Sequence, residues 1–478
     1  MATAVRAPVT LVPRTRVLLA DLETPVGAFA KLRQLGGAFL FESVEVGERI
    51  GRYSFIGVAP FATFTYRDGR AHIDERDERS IVHGEDPLAL LRDFAGRYRR
   101  EPTAGLPPFS GGAVGYIGYD AVRRLEPSLR PHARDPHGLP ELRFALYDTV
   151  VAFDHLRRTL TVIAHDVDGA PPRAETAIAG VVKALGGPLH LTPAKQEARE
   201  VVANLTPGQF VERAERARAL IRAGDCIQIV LSQRFDVRPA PGALALYRTL
   251  RHVNPSPYLF FLQAGEATLV GASPEPFVQV RDGRMVMHPI AGTRPRGSDD
   301  ETDAAEEAAL LASEKERAEH VMLVDLSRND IGRVAVPGSV GVRELMRVDR
   351  FSHVMHLTSI VEGTLRPGLD ALDAVRAAFP AGTVSGAPKL RAMERIAELE
   401  DDARGPYAGA VGYLAFDGAL DTCLAIRTAV ISGGVCRIQA GAGIVADSDP
   451  IAEEKETRAK ARALLRAIEL VGDPEAGR

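Results

Sequence analysis

The chain has 478 residues, 45% of them hydrophobic and 26% charged, with a formal net charge of −4. That balance describes a soluble globular protein, long enough for two or three domains or for one large two-layer core with an appended part, and it argues against nucleic acid as the main partner. No apolar run approaches the ~20 residues needed to span a bilayer, and Cys226, Cys423 and Cys436 are too scattered for a disulfide framework or a CxxC metal site, so a reducing, cytoplasmic setting is expected.

Residues 1–20 carry Arg6, Arg14 and Arg16, no acid and no uninterrupted apolar core, which reads as a flexible tail. Asp21 to Leu35 has helical periodicity and stops at Gly36-Gly37. Strands are expected at 38–43 and 53–57, and Phe61 to Ile73 reads as a hairpin turning at Asp68-Gly69. A helix from Pro87 to Tyr98, a glycine-bearing strand from Gly111 to Asp120, and a strand pair at 143–153 and 159–165 complete the first part. Gly and Pro punctuate residues 166–207, and a boundary near 195 divides a region of 21–195 from a second of 196–470. The second part reads as helix 207–223, strand 226–235, helix 242–253, strands 258–263 and 268–272, a hairpin at 275–289 and a long acidic helix at 299–326. Strands at 340–348 and 354–362, a helix at 370–378, a glycine-rich turn at 382–388, a helix to Glu400 and a three-strand run from Tyr407 to Ile444 follow. Strands in adjacent runs with helices grouped between them predict an antiparallel-rich α+β fold. The phrase GAVGYIGYD (112–120) echoes GAVGYLAFD (409–417), a hint of duplication.

Three stretches carry candidate chemistry. In the final helix Glu453, Glu456 and Lys460 recur at spacings of three and four, which puts two carboxylates and an ammonium on one stripe. The plainer reading is dipole complementation plus a surface ion pair. Glu316 and Glu319 repeat the spacing of three, beside a capping box from Ser313. Two helices that each offer such a pair could enclose one hard cation through oxygen, and the absence of thiolate sets or paired histidines favours Mg²⁺ over Zn²⁺. Gly441 and Gly443 are expected to form a turn whose amides suit an anion. Arg427, on a strand from Thr422 to Val430 and sharing a face with Cys423 and Ala425, suits a carboxylate clamp; an edge arginine reaching solvent is the equal alternative. Of His353 and His356 only one can reach a given site from a strand. Only seven of the 59 basic residues are lysines, among them Lys389 and Lys460.

With these residues assembled, the chain resembles the large, chorismate-binding subunits of anthranilate synthases. The phrases that carry the resemblance include NPSPYLFFL (254–262), GASPEP (271–276), HPIAGTRPRG (288–297), EHVMLVDLSRND (319–330), SGAPKLRAME (385–394), YAGAVGYLAFDGALDTCLAIRT (407–428) and QAGAGIVADS (439–448). FLFESVEVGERIGRYSFIG (39–57) extends it into the amino half.

The resemblance implies a four-layer α/β/β/α sandwich and Mg²⁺-dependent conversion of chorismate and ammonia to anthranilate and pyruvate. It assigns Glu319 and Glu456 as metal ligands with Glu316 and Glu453 around them. Gly292, Thr293, Tyr407, Arg427, Gly441, Ala442, Gly443 and Lys460 become substrate contacts. Glu275 becomes the acid that protonates the departing hydroxyl, so it is expected to be buried with a raised pKa; His356, Glu316 and Thr383 join it in the catalytic set. Relatives that add water carry a lysine base at Gln228, and many aminodeoxychorismate synthases carry a lysine at Ala291. Both differences favour anthranilate over the alternative, an aminodeoxychorismate or aminodeoxyisochorismate synthase. The resemblance also implies a glutamine amidotransferase small subunit as ammonia source. Inhibition by L-tryptophan would run through Ser43, Pro257, Tyr258 and Leu259, although Phe41 departs from the family's usual LLES.

Overall fold

Thr24, Asp86, Thr206 and Asp449 each accept a backbone N–H at the start of a helix whose next residue is proline. The side-chain oxygen satisfies an amide with no helical partner, and proline costs nothing where no N–H is needed. In the computed structural model, residues 8–43, 51–76, 78–297, 299–350 and 354–473 are described, with Thr293 and Val354 as backbone alone.

The first half contains β1 (Val9–Leu19), α1 (Pro25–Leu32), β2 (Gly37–Glu42), β3 (Tyr53–Val58), β4 (Ala62–Arg67), β5 (Arg70–Glu75), β6 (Glu78–His83), α2 (Pro87–Ala95) and β7 (Tyr98–Arg100). It continues with β8 (Gly112–Ile117), α3 (Val122–Leu125), β9 (Leu142–Tyr147), β10 (Thr149–Asp154), β11 (Thr159–Val167) and α4 (Ala174–Leu185). The second half runs β12 (Glu200–Ala203), α5 (Pro207–Arg222), β13 (Gln228–Arg238), α6 (Ala243–Val253), β14 (Tyr258–Ala264), β15 (Ala267–Ser273), β16 (Pro276–Arg281), β17 (Arg284–Met287) and β18 (Ile290–Pro295). Then come α7 (Asp300–Ala312), α8 (Glu314–Gly332), β19 (Gly341–Arg350), β20 (Val354–Thr364), α9 (Ala371–Ala378), α10 (Gly382–Ser385), β21 (Gly386–Ala387) and α11 (Lys389–Leu399). The chain closes with β22 (Ala410–Ala415), β23 (Leu420–Leu424), β24 (Thr428–Ser432), β25 (Val435–Ile444) and α12 (Pro450–Glu469).

Two sheets result. The first has the order β12-β13-β25-β24-β15-β14-β2-β3-β10-β11-β1-β7, the second β18-β20-β17-β16-β23-β22-β8-β9-β4-β5-β6. Phe39, Phe55, Phe109, Tyr413 and their neighbours fill the space between them. The outer faces pack under helices: α1, α4, α6 and α12 cover the first sheet, α2, α8 and α9 the second. The fold is therefore α+β, helices outside two sheets, as the sequence predicts.

The repeated phrase marks a structural duplication. Gly412 lies opposite Gly115, so the two copies of GAVGY meet antiparallel about that glycine pair at the centre of the second sheet. From there outward β22-β23-β16-β17 mirrors β8-β9-β4-β5, and in the first sheet β14-β15-β24-β25-β13 mirrors β2-β3-β10-β11-β1. Close contacts repeat as well. A Cβ on Gly57 would lie 1.9 Å from the Phe39 ring, and one on Gly271 would lie 2.2 Å from the Phe260 ring.

Five expectations need correction. Residues 9–19 are no tail: β1 pairs with β11 along nine positions, and Arg14 and Arg16 meet Asp166 and Glu175. The boundary near 195 separates no layer, since both sheets draw strands from both sides of it. The strand read over 143–153 breaks at Asp148, where the chain passes from the second sheet to the first; the three-strand run after Tyr407 is four strands broken the same way at 425–427. The acidic helix breaks at Ser313, whose hydroxyl restarts it as α8.

Candidate active site

Two of the crossings between sheets, 274–275 and 425–427, deliver Glu275 and Arg427. Glu275 follows β15 with its N–H on Ser273 Oγ (3.3 Å), and its carbonyl takes the amide of Leu424 (3.0 Å). Its partly buried carboxylate accepts 2.7 Å from Thr383 Oγ1 of α10. Desolvation pushes the carboxyl up to about 7, against the opposing pull of the Thr383 hydroxyl and the Lys460 ammonium. The expectation of a raised pKa at Glu275 is met, with burial that is partial.

Arg427 is not on a continuous strand face. It sits in the crossover with φ +51°, a left-handed conformation that a non-glycine residue adopts at some cost. Burial lowers its pKa, while Tyr407 and Glu456 favour its charge. The charge of the same guanidinium also acts on His356, whose pKa falls through desolvation first, with the Gly292 hydrogen bond opposing and Arg427 adding to the fall. His356 Nδ1 donates to the Gly292 carbonyl at 2.9 Å, so Nε2 is the unprotonated nitrogen of the neutral ring. Gly292 makes that possible at a bulge in the β18–β20 pairing, with φ +67°; a Cβ there would lie 3.2 Å from Glu316 Oε2. The Thr293 side chain and His353 lie outside the described residues.

The four glutamates influence one another electrostatically. Glu319 on α8 is raised by desolvation, then by the charges of Glu316 and of Glu456 on α12. Glu453 is raised by desolvation and by Glu456, with Lys460 and Lys315 opposing. Lys460 Nζ lies 2.7 Å from Glu456 Oε1 and donates to the Gly441 carbonyl at 3.0 Å. Among the described residues no three acidic, histidine or cysteine side chains already stand at ligand geometry. The donor set nonetheless fits a hard divalent cation: carboxylates from two helices, short of counter-charge, with no sulfur or imidazole among them.

Gly441 and Gly443 do not form a turn. They run through the β13–β25 ladder opposite Ser232 and Val230. Their lack of a side chain makes room: a Cβ on Gly441 would meet the Tyr407 hydroxyl at 2.7 Å, one on Gly443 the Gln228 Nε2 at 2.6 Å. Gln228 is 5% exposed and its Oε1 has no hydrogen-bond partner among the described residues. Ala442, two residues on from Ala440, shares the face that packs under α12, so only its backbone faces the site. Lys389 is structural, bonded to Asp330 and the Ala378 carbonyl, each at 2.7 Å.

Arg404 was missed by sequence reasoning. Fully buried, it binds both oxygens of Glu400 and the carbonyls of Val384 and Val230, and lies 4.6 Å from the Tyr119 ring centre. It ties α10, which carries Thr383, to β13, which carries Gln228. A charge next to Asp401-Asp402 gives no hint of burial from sequence.

At the far end of β2, Glu42 pairs with Leu259, which brings Ser43 and Tyr258 together. Ser43 Oγ is buried without a partner among the described residues, and Tyr258 donates to Asp421 at 2.8 Å. Pro257 is buried beside them, but the Leu259 side chain faces the opposite core.

Among protein families, the chorismate binding enzyme profile matches residues 37–466. Anthranilate synthase component 1 of Thermus thermophilus is 48% identical over 96% of this chain and 98% of its own length, and that of Acinetobacter calcoaceticus is 45% identical over 96% and 95%. The crystal structure of anthranilate synthase component I from Streptococcus pneumoniae TIGR4 superposes with a TM-score of 0.79 at 36% identity, covering 94% of this chain and 98% of that one. The isochorismate synthase MenF of Escherichia coli, at 20% identity and a TM-score of 0.70, shares the fold.

Proposed function

The chain belongs to the chorismate-binding enzymes, on the anthranilate synthase component 1 branch, and we propose that it converts chorismate and ammonia to anthranilate and pyruvate with Mg²⁺ as cofactor and a glutamine amidotransferase subunit as ammonia source. The observation that supports this reading is a raised carboxyl at Glu275 that feels Lys460, a buried Arg427 guanidinium that feels Glu456, and mutual repulsion among glutamates of α8 and α12. When bound, Mg²⁺ supplies positive charge against a substrate carboxylate, and Glu319, Glu456, Glu316 and Glu453 would hold it. Arg427 and Tyr407 orient a second carboxylate. Glu275, half protonated near pH 7, gives its proton to the ring hydroxyl, which leaves as water while ammonia adds to the ring carbon next to the carboxylate and the two ring double bonds shift between those positions. Neutral His356 then presents Nε2 for proton transfer as pyruvate is lost from the aminated intermediate.

Gln228 supports ammonia as nucleophile, because an amide is no base for activating water. Ala291, where a lysine nucleophile would be needed for the 4-amino product, supports anthranilate. Ser43, Tyr258 and Asp421 support an inhibitory site for tryptophan. The test is incubation with chorismate, Mg²⁺ and ammonium salt, with and without tryptophan. Fluorescent anthranilate is expected, and its absence would sink the reading; tryptophan-insensitive output would sink only the inhibitory site.

A further inference from the structure

The duplication gives each residue near the centre a counterpart. In the second half Tyr413 pairs with Asp421, which is flanked on its other side by Gln279. In the first half Tyr116 pairs with Arg143, flanked on its other side by Thr65. A guanidinium thus stands where the other half has a carboxylate. Beside Asp421 the gap between the sheets is filled by Tyr258, two residues before Phe260 on β14, with Gln279 Nε2 2.9 Å from its hydroxyl. Beside Arg143 the corresponding end of β2 reads Gly36-Gly37-Ala38 before Phe39, so nothing larger than a methyl enters. The result is a cleft of about 500 Å³ between the sheets, lined among others by Arg33, Gly37, Arg143, Tyr147, Leu262 and Gln263.

Arg143 donates to the Thr65 hydroxyl and has no carboxylate within ion-pair reach among the described residues. Desolvation pulls its pKa down, against the weaker opposing effects of Tyr116, Asp74 and Tyr147. A half-buried guanidinium that faces apolar walls and lacks an anion is costly unless an anion arrives. Arg33, stacked 5.8 Å from the Phe261 ring centre, stands at the mouth. We propose that this cleft binds a small aromatic carboxylate, its ring in the space that the Tyr258 phenol fills in the other half and its carboxylate on Arg143. The walls favour a ring over a bare anion, since Leu262, Tyr147 and the Ala38 methyl offer a ring apolar contact and a phosphate none.

The proposal draws on the cleft and not on the reaction at Arg427, and its test keeps the two apart. Crystals soaked in 4-bromobenzoate should show an anomalous bromine peak between the sheets beside Arg143. Calorimetric titration of the Mg²⁺-free protein with benzoate should saturate, with inorganic phosphate competing weakly. Arg143→Gln should weaken benzoate at least tenfold. Ala38→Phe, which fills the cleft as Tyr258 fills its counterpart, should abolish binding while anthranilate formation from ammonium persists, and it serves should Arg143→Gln fail to fold. A bromine peak only beside Arg427, no saturable binding, phosphate competing as well as benzoate, or unchanged affinity in both variants would overturn the proposal.

Discussion

Thr383 donates a 2.7 Å hydrogen bond to Glu275 across two elements, from the short α10 helix to the crossing between the sheets. The bond favours the ionised carboxylate, while the larger effect, desolvation, favours the acid. Thr383→Val therefore pushes the Glu275 pKa further up, and the alkaline limb of the pH–rate profile, which falls as the acid loses its proton, should move to higher pH. A profile that is unmoved or shifted downward would contradict the assignment of Glu275 as proton donor.

The same carboxyl couples catalysis to stability. Its folded pKa of about 7 lies above the ordinary value of 4.5, so the folded state binds its proton more tightly. That contribution is fully present below pH 4.5 and is lost as pH rises through 7. Glu275→Gln, neutral throughout, should raise the melting temperature at pH 8 and leave it nearly unchanged at pH 4, a gain on the order of 1–3 kcal/mol. The same variant should lower kcat by roughly 10²-fold or more. Melting curves at the two pH values, set beside turnover, check both.

The wall of glutamates predicts how Mg²⁺ acts on the fold. Carboxylates from α8 and α12 repel one another, and that repulsion adds to the larger effect of desolvation in raising Glu319 and Glu453. A divalent ion removes that repulsion, so Mg²⁺ at about 100 times its dissociation constant should stabilise by roughly 2.7 kcal/mol. The gain should shrink as pH falls and the carboxyls protonate. Glu456→Ala should abolish both the shift and anthranilate formation. A variant that keeps full Mg²⁺-dependent turnover would remove Glu456 from the metal set.

How far the sequence carries differs from residue to residue, for physical reasons. The stripe of Glu453, Glu456 and Lys460 is legible because helical periodicity is a local property, and the GAVGY repeat announces the pair about which both sheets are organised. The crossings at Asp148 and Arg427 are invisible: β-forming residues run through both, and the break is set by packing two layers. Gly441 and Gly443 mislead for the opposite reason. Glycine reads as a turn, yet here it clears space on a strand for Tyr407 and Gln228, which are distant in sequence.

Arg404 stands for what only tertiary structure reveals, and it yields a stability prediction. Its guanidinium satisfies Glu400 and two backbone carbonyls, wholly shielded from the protein surface. Arg404→Met leaves a buried carboxylate uncompensated and should cost about 3–5 kcal/mol. Pairing it with Glu400→Gln removes the stranded charge, so the double variant should lose less than the sum of the singles. Strict additivity in denaturant unfolding would show that the pair is not coupled.

Gly441→Ala tests the strand reading of the site against the turn reading. A methyl there would lie 2.7 Å from the Tyr407 hydroxyl and 2.8 Å from the Leu231 carbonyl. The carbonyl belongs to the ladder and cannot move far, so the phenol must swing away, taking with it one of the groups that orients the substrate beside Arg427. Backbone strain is not the issue, since Gly441 has no left-handed φ. The expected signature is a KM for chorismate raised at least tenfold, about 1.4 kcal/mol of lost binding, in a protein whose melting temperature falls by only a few degrees. In a turn exposing its amides, the added methyl would find open space and leave KM unchanged, so steady-state kinetics on this one variant separates the two geometries.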